Sequence, residues 1–274
     1  MMKANVESIM FRSLYLVNNN RKSKCSWLLI LLFYSCKDLN NEYDVLNSSM
    51  ANTINIGAKI TVFKSDNYKY NDIIAFKFKN EDDISCLRIV GLPGDKIEII
   101  KGVLYINERE FPKSEEGTSI YTVYSKNPNG FKEMKKFNFK PYSEFYGMVS
   151  ATRKQYREIV EKHIVDSIYQ LGFDSTYKFN GIVETRDSKY FNHYYFGPIR
   201  IPIIGDTLYR VDYSLVKGFC PCDGESLIVN EDYFFCLGDS FSDALDSRIL
   251  GLVPKSKILG VVKKVKNTNV ITLN

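Results

Sequence analysis

Ile84-Ser85-Cys86-Leu87-Arg88-Ile89-Val90-Gly91-Leu92-Pro93-Gly94-Asp95 joins an apolar, β-branched run to a turn. The first seven residues suit a buried strand. Proline fixes φ and glycine accepts positive φ, so Gly91 to Asp95 reads as a turn. Upstream, Asp72-Ile73-Ile74-Ala75-Phe76-Lys77-Phe78 is a second strand, separated from the first by the polar turn Asn80-Glu81-Asp82-Asp83. Ile60 to Phe63 precedes it, and Lys96 to Ile100 with Val103 to Ile106 forms a hairpin around Lys101-Gly102. Short connections between such runs predict a β-meander and a mainly β fold class.

Strand-like runs return at Leu208 to Val211, Ser226 to Val229, Tyr233 to Leu237, Ile249 to Val253 and Ile258 to Val265. Phe196 to Pro202 reads as an irregular edge segment, because prolines exclude a central strand. The middle of the chain differs. Tyr156, Ile159, Val160, Ile164, Ile168 and Leu171 recur at steps of three and four, which predicts an amphipathic helix over about 151–171 ending at Gly172.

The 274 residues suffice for a sizeable core, and 37 of them are Tyr or Phe (19 and 18). A net charge of +5 is modest, and the lysines often stand beside acids, as in Lys79-Asn80-Glu81-Asp82. Such scattered charge describes solvated faces and argues against a nucleic-acid partner. Arg21, Lys22 and Lys24 precede Trp27-Leu28-Leu29-Ile30-Leu31-Leu32-Phe33-Tyr34, then Ser35-Cys36. The apolar run is short for a membrane span, which needs about 20 residues, and fits the core of a signal peptide. A small residue before Cys36 resembles a lipoprotein cleavage box, which makes Cys36 a lipidation candidate; an uncleaved signal anchor is the alternative. Either reading tethers the chain to a membrane in the cell envelope, with its bulk outside the cytoplasm.

The run Gly238-Asp239-Ser240-Phe241-Ser242-Asp243-Ala244-Leu245-Asp246-Ser247-Arg248 gives the chemistry its outline when set beside Leu87 to Asp95 and Ser49-Met50-Ala51-Asn52-Thr53. In this order the three segments resemble signature motifs of the type I signal peptidases, which are membrane-anchored proteases with a serine nucleophile and a lysine general base. Asn71-Asp72-Ile73-Ile74-Ala75-Phe76 and Val103-Leu104-Tyr105-Ile106-Asn107 resemble two further family segments. The resemblance implies an antiparallel β core with an α-containing inserted domain. Its layout here is a signal or anchor segment over 1–36, core over 37–110, insert over 111–230 and core again over 231–274.

The same resemblance implies roles and shows departures. Ser49 stands at the nucleophile and Asn47 at a side-chain oxyanion donor. Met50, Ile84 and Cys86 stand along the substrate cleft. Arg88, Asp239, Asp246 and Arg248 stand where the family forms two ion pairs. Leu87 replaces the lysine base, and Ala244 replaces the serine that supports it. Leucine keeps the lysine stem's volume without its charge, and alanine removes a hydroxyl that would be an orphan donor. The pattern predicts a catalytically degenerate member. It would be inactive, or would only bind signal-peptide-bearing exported proteins or an active partner peptidase at the membrane surface. The alternatives are an active serine endopeptidase using Ser49 with a substitute base such as Lys77 or Lys79, and a surface lipoprotein that keeps the core as scaffold. Ser-Lys chemistry implies no metal or organic cofactor.

Overall fold

The computed structural model describes residues 41–266, apart from 52, 79–83, 113–116, 171–177, 179 and 220–223. The segment 1–36, with Cys36, lies outside the described residues. In chain order the first strands are β1 (Asn41–Asp44), β2 (Lys59–Phe63), β3 (Ile73–Lys77), β4 (Ile84–Gly91), β5 (Lys96–Ile100), β6 (Val103–Ile106) and β7 (Arg109–Phe111). Then come β8 (Thr118–Tyr124), α1 (Pro128–Met134), β9 (Asn138–Pro141), β10 (Tyr146–Thr152), α2 (Arg153–Glu161), β11 (Ser167–Gln170), β12 (Tyr190–Phe191) and β13 (Phe196–Arg200). The chain closes with β14 (Thr207–Tyr209), β15 (Ser226–Ile228), β16 (Tyr233–Leu237), α3 (Ser247–Leu250), β17 (Val253–Pro254) and β18 (Ile258–Lys266).

The expected mainly β class is what the structure has. A seven-stranded antiparallel sheet runs β1-β2-β18-β3-β4-β16-β17, a five-stranded sheet β12-β13-β5-β6-β7 and a four-stranded sheet β11-β8-β10-β9. Burial on both faces of β4 explains its mostly apolar run, interrupted at Ser85 and Arg88. Ile84 and Cys86 enter one cluster with Met50, Ile54 and Ala75, whereas Leu87 and Ile89 enter another with Ile74, Phe76 and Cys236.

Four details differ from the sequence reading. The helix expected over about 151–171 is only Arg153–Glu161; His163 then takes φ 48° and the chain returns as β11, with Ile168 opposite Val123. Ile164 and Ile168 pack into the same cluster as Ile159, so spacing alone could not separate helix from strand. Phe196–Arg200 is an interior strand between β12 and β5, and a register shift between Phe196 and Ile199 accommodates Pro198. Ser247–Leu250 is a helical turn, not part of a strand. Arg210–Leu215 is 3₁₀ helix, which ends the strand expected over Leu208 to Val211 at Tyr209. Among the described residues, no helix is long and apolar enough to cross a membrane.

Candidate active site

Ser49 lies in the turn after β1, where Ala51 N donates to Ser48 O and Ile54 N to Met50 O. It is 5% exposed. Its carbonyl accepts from Ser240 N at 2.9 Å, and its Oγ accepts from Leu245 N at 3.2 Å. The C-terminal motif is thereby folded directly onto the serine. Gly238 permits the approach: a Cβ there would lie 2.3 Å from Ala244 Cβ and 2.4 Å from Ser49 O. Ser49 and Ala244 thus adjoin across a residue that can only be glycine.

Asn47, expected at the oxyanion donor position, bonds to both Ser85 and Ser49. Its Nδ2 donates to Ser85 Oγ at 3.1 Å, and its Oδ1 accepts from Ser49 N at 3.1 Å. An oxyanion hole needs donors aimed at vacant space; here the Ser49 N–H and one of the two Asn47 amide hydrogens are engaged. Sequence reasoning missed Ser85 as the Asn47 partner.

Leu87 is 1% exposed, opposite Ile74 in β3 and enclosed with Phe76, Ile89, Phe234 and Val253. No proton acceptor exists at that position. Lys77, at the end of β3, faces Ile84 across the ladder, and Lys79 lies outside the described residues. Among the described residues no lysine hydrogen-bonds Ser49 Oγ.

Met50, Ile84 and Cys86, expected along a cleft, are core residues. They are 0%, 6% and 0% exposed and pack with Val45, Ile54 and Ala58. The turn carrying Ser49 brings Met50 and Ile54 down onto the sheet face that Cys86 occupies, which closes it. Burial pushes the Cys86 thiol up to about 12, so it is no thiolate nucleophile.

The charged residues form two forks. Arg88 Nε and Nη2 bond Asp239 Oδ1 and Oδ2 at 2.9 and 2.7 Å. Thr53 Oγ1 donates to Asp239 Oδ2 at 2.5 Å, which ties the serine turn to the same carboxylate. Only its place at the end of the Ser-Met-x-x-Thr pattern could have marked Thr53. Arg248 is fully buried; its Nε and Nη2 bond Asp246 Oδ1 and Oδ2 at 2.9 and 2.7 Å. Its remaining donors reach His193 O and Phe241 O, and its guanidinium lies 4.2 Å from the Phe241 ring centroid. Asp246 also accepts from Gly238 N and caps α3 through Arg248 N. The site is a serine braced by two charged pairs, Arg88–Asp239 and Arg248–Asp246.

Residues 23–164 and 181–266 match the protein family described as signal peptidase, peptidase S26. A signal peptidase I of Buchnera aphidicola subsp. Baizongia pistaciae is 27% identical over 199 residues, which cover 71% of this chain and 54% of that protein. A signal peptidase I of Rickettsia felis is 42% identical over 50 residues, 18% of this chain and 19% of the relative. The chain therefore spans about a fifth of the length of that relative and about half of the Buchnera protein. Among solved structures, a signal peptidase I from Enterococcus faecalis V583 is 17% identical, covering 72% of this chain and 98% of that one, with a TM-score of 0.30.

Proposed function

The chain belongs to the signal peptidase, peptidase S26, family, and on that premise we propose that it is a member without peptidase activity that binds exported precursors or an active partner peptidase. The observation that carries this reading is the pair Leu87 and Ala244. Where the family resemblance calls for a lysine and its supporting serine, this chain has a leucine sealed in an apolar cluster and an alanine packed against Gly238. A serine hydroxyl without a general base loses about 10²–10⁴-fold in rate, and more where nucleophile and base act as a unit. The scaffold that positions the serine turn is kept: Arg88–Asp239 with Thr53, and Arg248–Asp246. In this reading residues 1–36, through Cys36 or as an anchor, tether the chain at the membrane surface of the cell envelope, where precursors pass.

The test is a cleavage assay on the full chain in detergent with an exported precursor as substrate. We expect no cleavage above the uncatalysed background, and photo-crosslinking of the uncleaved precursor to the chain. Cleavage that disappears in Ser49→Ala would overturn the proposal. The double variant Leu87→Lys/Ala244→Ser should gain measurable cleavage, itself lost on adding Ser49→Ala.

A further inference from the structure

Asn-Gly occurs at Asn129-Gly130 and again at Asn180-Gly181. An asparagine amide is open to attack by the main-chain nitrogen of the next residue, and a glycine there leaves that nitrogen unshielded because it has no side chain. The peptide unit is planar, so closing the five-membered ring requires the whole plane between the two residues to rotate. The local fold therefore decides which pair can react.

The two pairs are held differently. Asn129 and Gly130 lie inside α1, where Asn129 N donates to the N-cap Asn127 Oδ1 at 2.9 Å. The capped first turn fixes helical φ and ψ at that plane. Asn180 and Gly181 lie in a turn instead. Asn180 is exposed, and Gly181 takes φ 83° with nothing within 4 Å of where a Cβ would stand. Among the described residues, none hydrogen-bonds the Asn180 amide or the Gly181 N–H. The turn is tied on either side of that plane. Lys217 Nζ donates to Gly181 O at 2.5 Å, Lys178 pairs with Glu184 at 2.8 Å, and Val183 N donates to Arg248 O at 2.7 Å. These contacts leave the plane between Asn180 and Gly181 to move.

We infer that Asn180 is a site of spontaneous modification, at which the amide becomes aspartate or isoaspartate, and that α1 protects Asn129. Gly181 N bonds to Asn180 Cγ, and the Cγ–Nδ2 bond breaks. The amide nitrogen leaves as ammonia, carrying the proton from Gly181 N. Water then opens the cyclic imide at one or the other of its carbonyls. Each product puts a carboxylate where a neutral amide stood, next in sequence to the carbonyl held by the Lys217 ammonium, and opposite charges attract. The isoaspartate form also lengthens the main chain by one methylene, upstream of the Val183 contact with Arg248.

Incubating the full chain in mildly alkaline buffer, with and without urea, and mapping its tryptic peptides by mass tests this. The two asparagines fall in separate peptides, one ending at Arg186 after Lys178 and the other at Lys132 after Lys126. In the folded chain the Asn180 peptide should gain the mass of an amide-to-acid change and become a substrate for isoaspartyl methyltransferase, while the Asn129 peptide stays unmodified. In urea, which melts α1, both peptides should convert at similar rates. An Asn180 peptide that stays unmodified in the folded chain while it converts in urea would overturn the inference. So would an Asn129 peptide that keeps pace with the Asn180 peptide without urea, or that fails to convert in urea.

Discussion

Among the described residues Arg248 is the largest side chain buried completely, and its guanidinium bonds Asp246, His193 O and Phe241 O. A buried pair is a weak source of net stability, yet removing one partner strands the other. Arg248→Met should therefore cost about 3–5 kcal/mol, read as a lower urea midpoint. Adding Asp246→Leu would not restore the wild type, since Asp246 also accepts from Gly238 N and caps α3. Gly238→Ala acts by contact alone. Its methyl would meet Ala244 Cβ and Ser49 O at under 2.5 Å, both attached to the main chain. We expect a loss of about 1–3 kcal/mol, typical of overpacking; an unchanged melting temperature would show that the serine turn can yield. At this scale the two charged pairs were legible, since motif order matched Arg88 with Asp239 and Arg248 with Asp246, and the structure forms both. The closure of the Met50 and Cys86 face was not legible, because it depends on Val45, Ile54 and Ala58 folding back from the far side of the serine turn. The engagement of Asn47 depends equally on Ser85, from another strand.

Elements were legible where pattern and turn chemistry agreed. β3, β4, β5 and β6 fall where alternating apolar runs and glycine or proline turns put them, since each ladder is closed by a short local connection. α2 shows the opposite case. Its start is written in the chain: Thr152 and Gln155 form a reciprocal capping box, with Gln155 N to Thr152 Oγ1 at 3.2 Å and Thr152 N to Gln155 Oε1 at 2.8 Å. Its end is not, because Ile164 and Ile168 serve one apolar cluster equally from a helix or from a turn and strand. The cap should be worth about 1 kcal/mol. Thr152→Ala should lower the denaturation midpoint by that amount, while Thr152→Ser should leave it nearly unchanged. Equal loss in both variants would show that the methyl, which Thr152 also buries, matters and the cap does not. The prolines of β13 predict an edge, yet it lies inside its sheet, since the register shift at Phe196 and Ile199 relieves the ladder at Pro198.

At the scale of the whole molecule, the C-terminal motif is the joint. Thr118 N donates to Asp239 O and Phe241 N to Thr118 O, so the four-stranded sheet is sewn to the same loop that holds Ser49. The turn between β12 and β13 meets that loop as well, through His193 O and Arg248. This makes His193 a reporter of the assembled joint. Burial first, and then the nearby Arg248 charge, lower its pKa to about 4. In the unfolded chain an imidazole takes up its proton near about 6.5. The folded pKa is therefore the lower of the two, and the unfolded state binds the proton first as the pH falls. The contribution of His193 to stability is full above about 6.5, declines as the pH falls toward 4, and is constant below that. Glu158 acts lower on the scale. Its hydrogen bonds from Lys136 and Lys162 bring it down to about 2, so its share starts to decline only near the usual glutamate pKa and continues to fall toward 2. Between pH 7 and pH 5 the two are thus separable. Urea midpoints measured at both pH values should differ in the wild type, and His193→Gln should shrink that difference, because glutamine cannot take up the proton. The same pH difference in wild type and variant would mean that His193 titrates alike in both states, and that the joint leaves it in water.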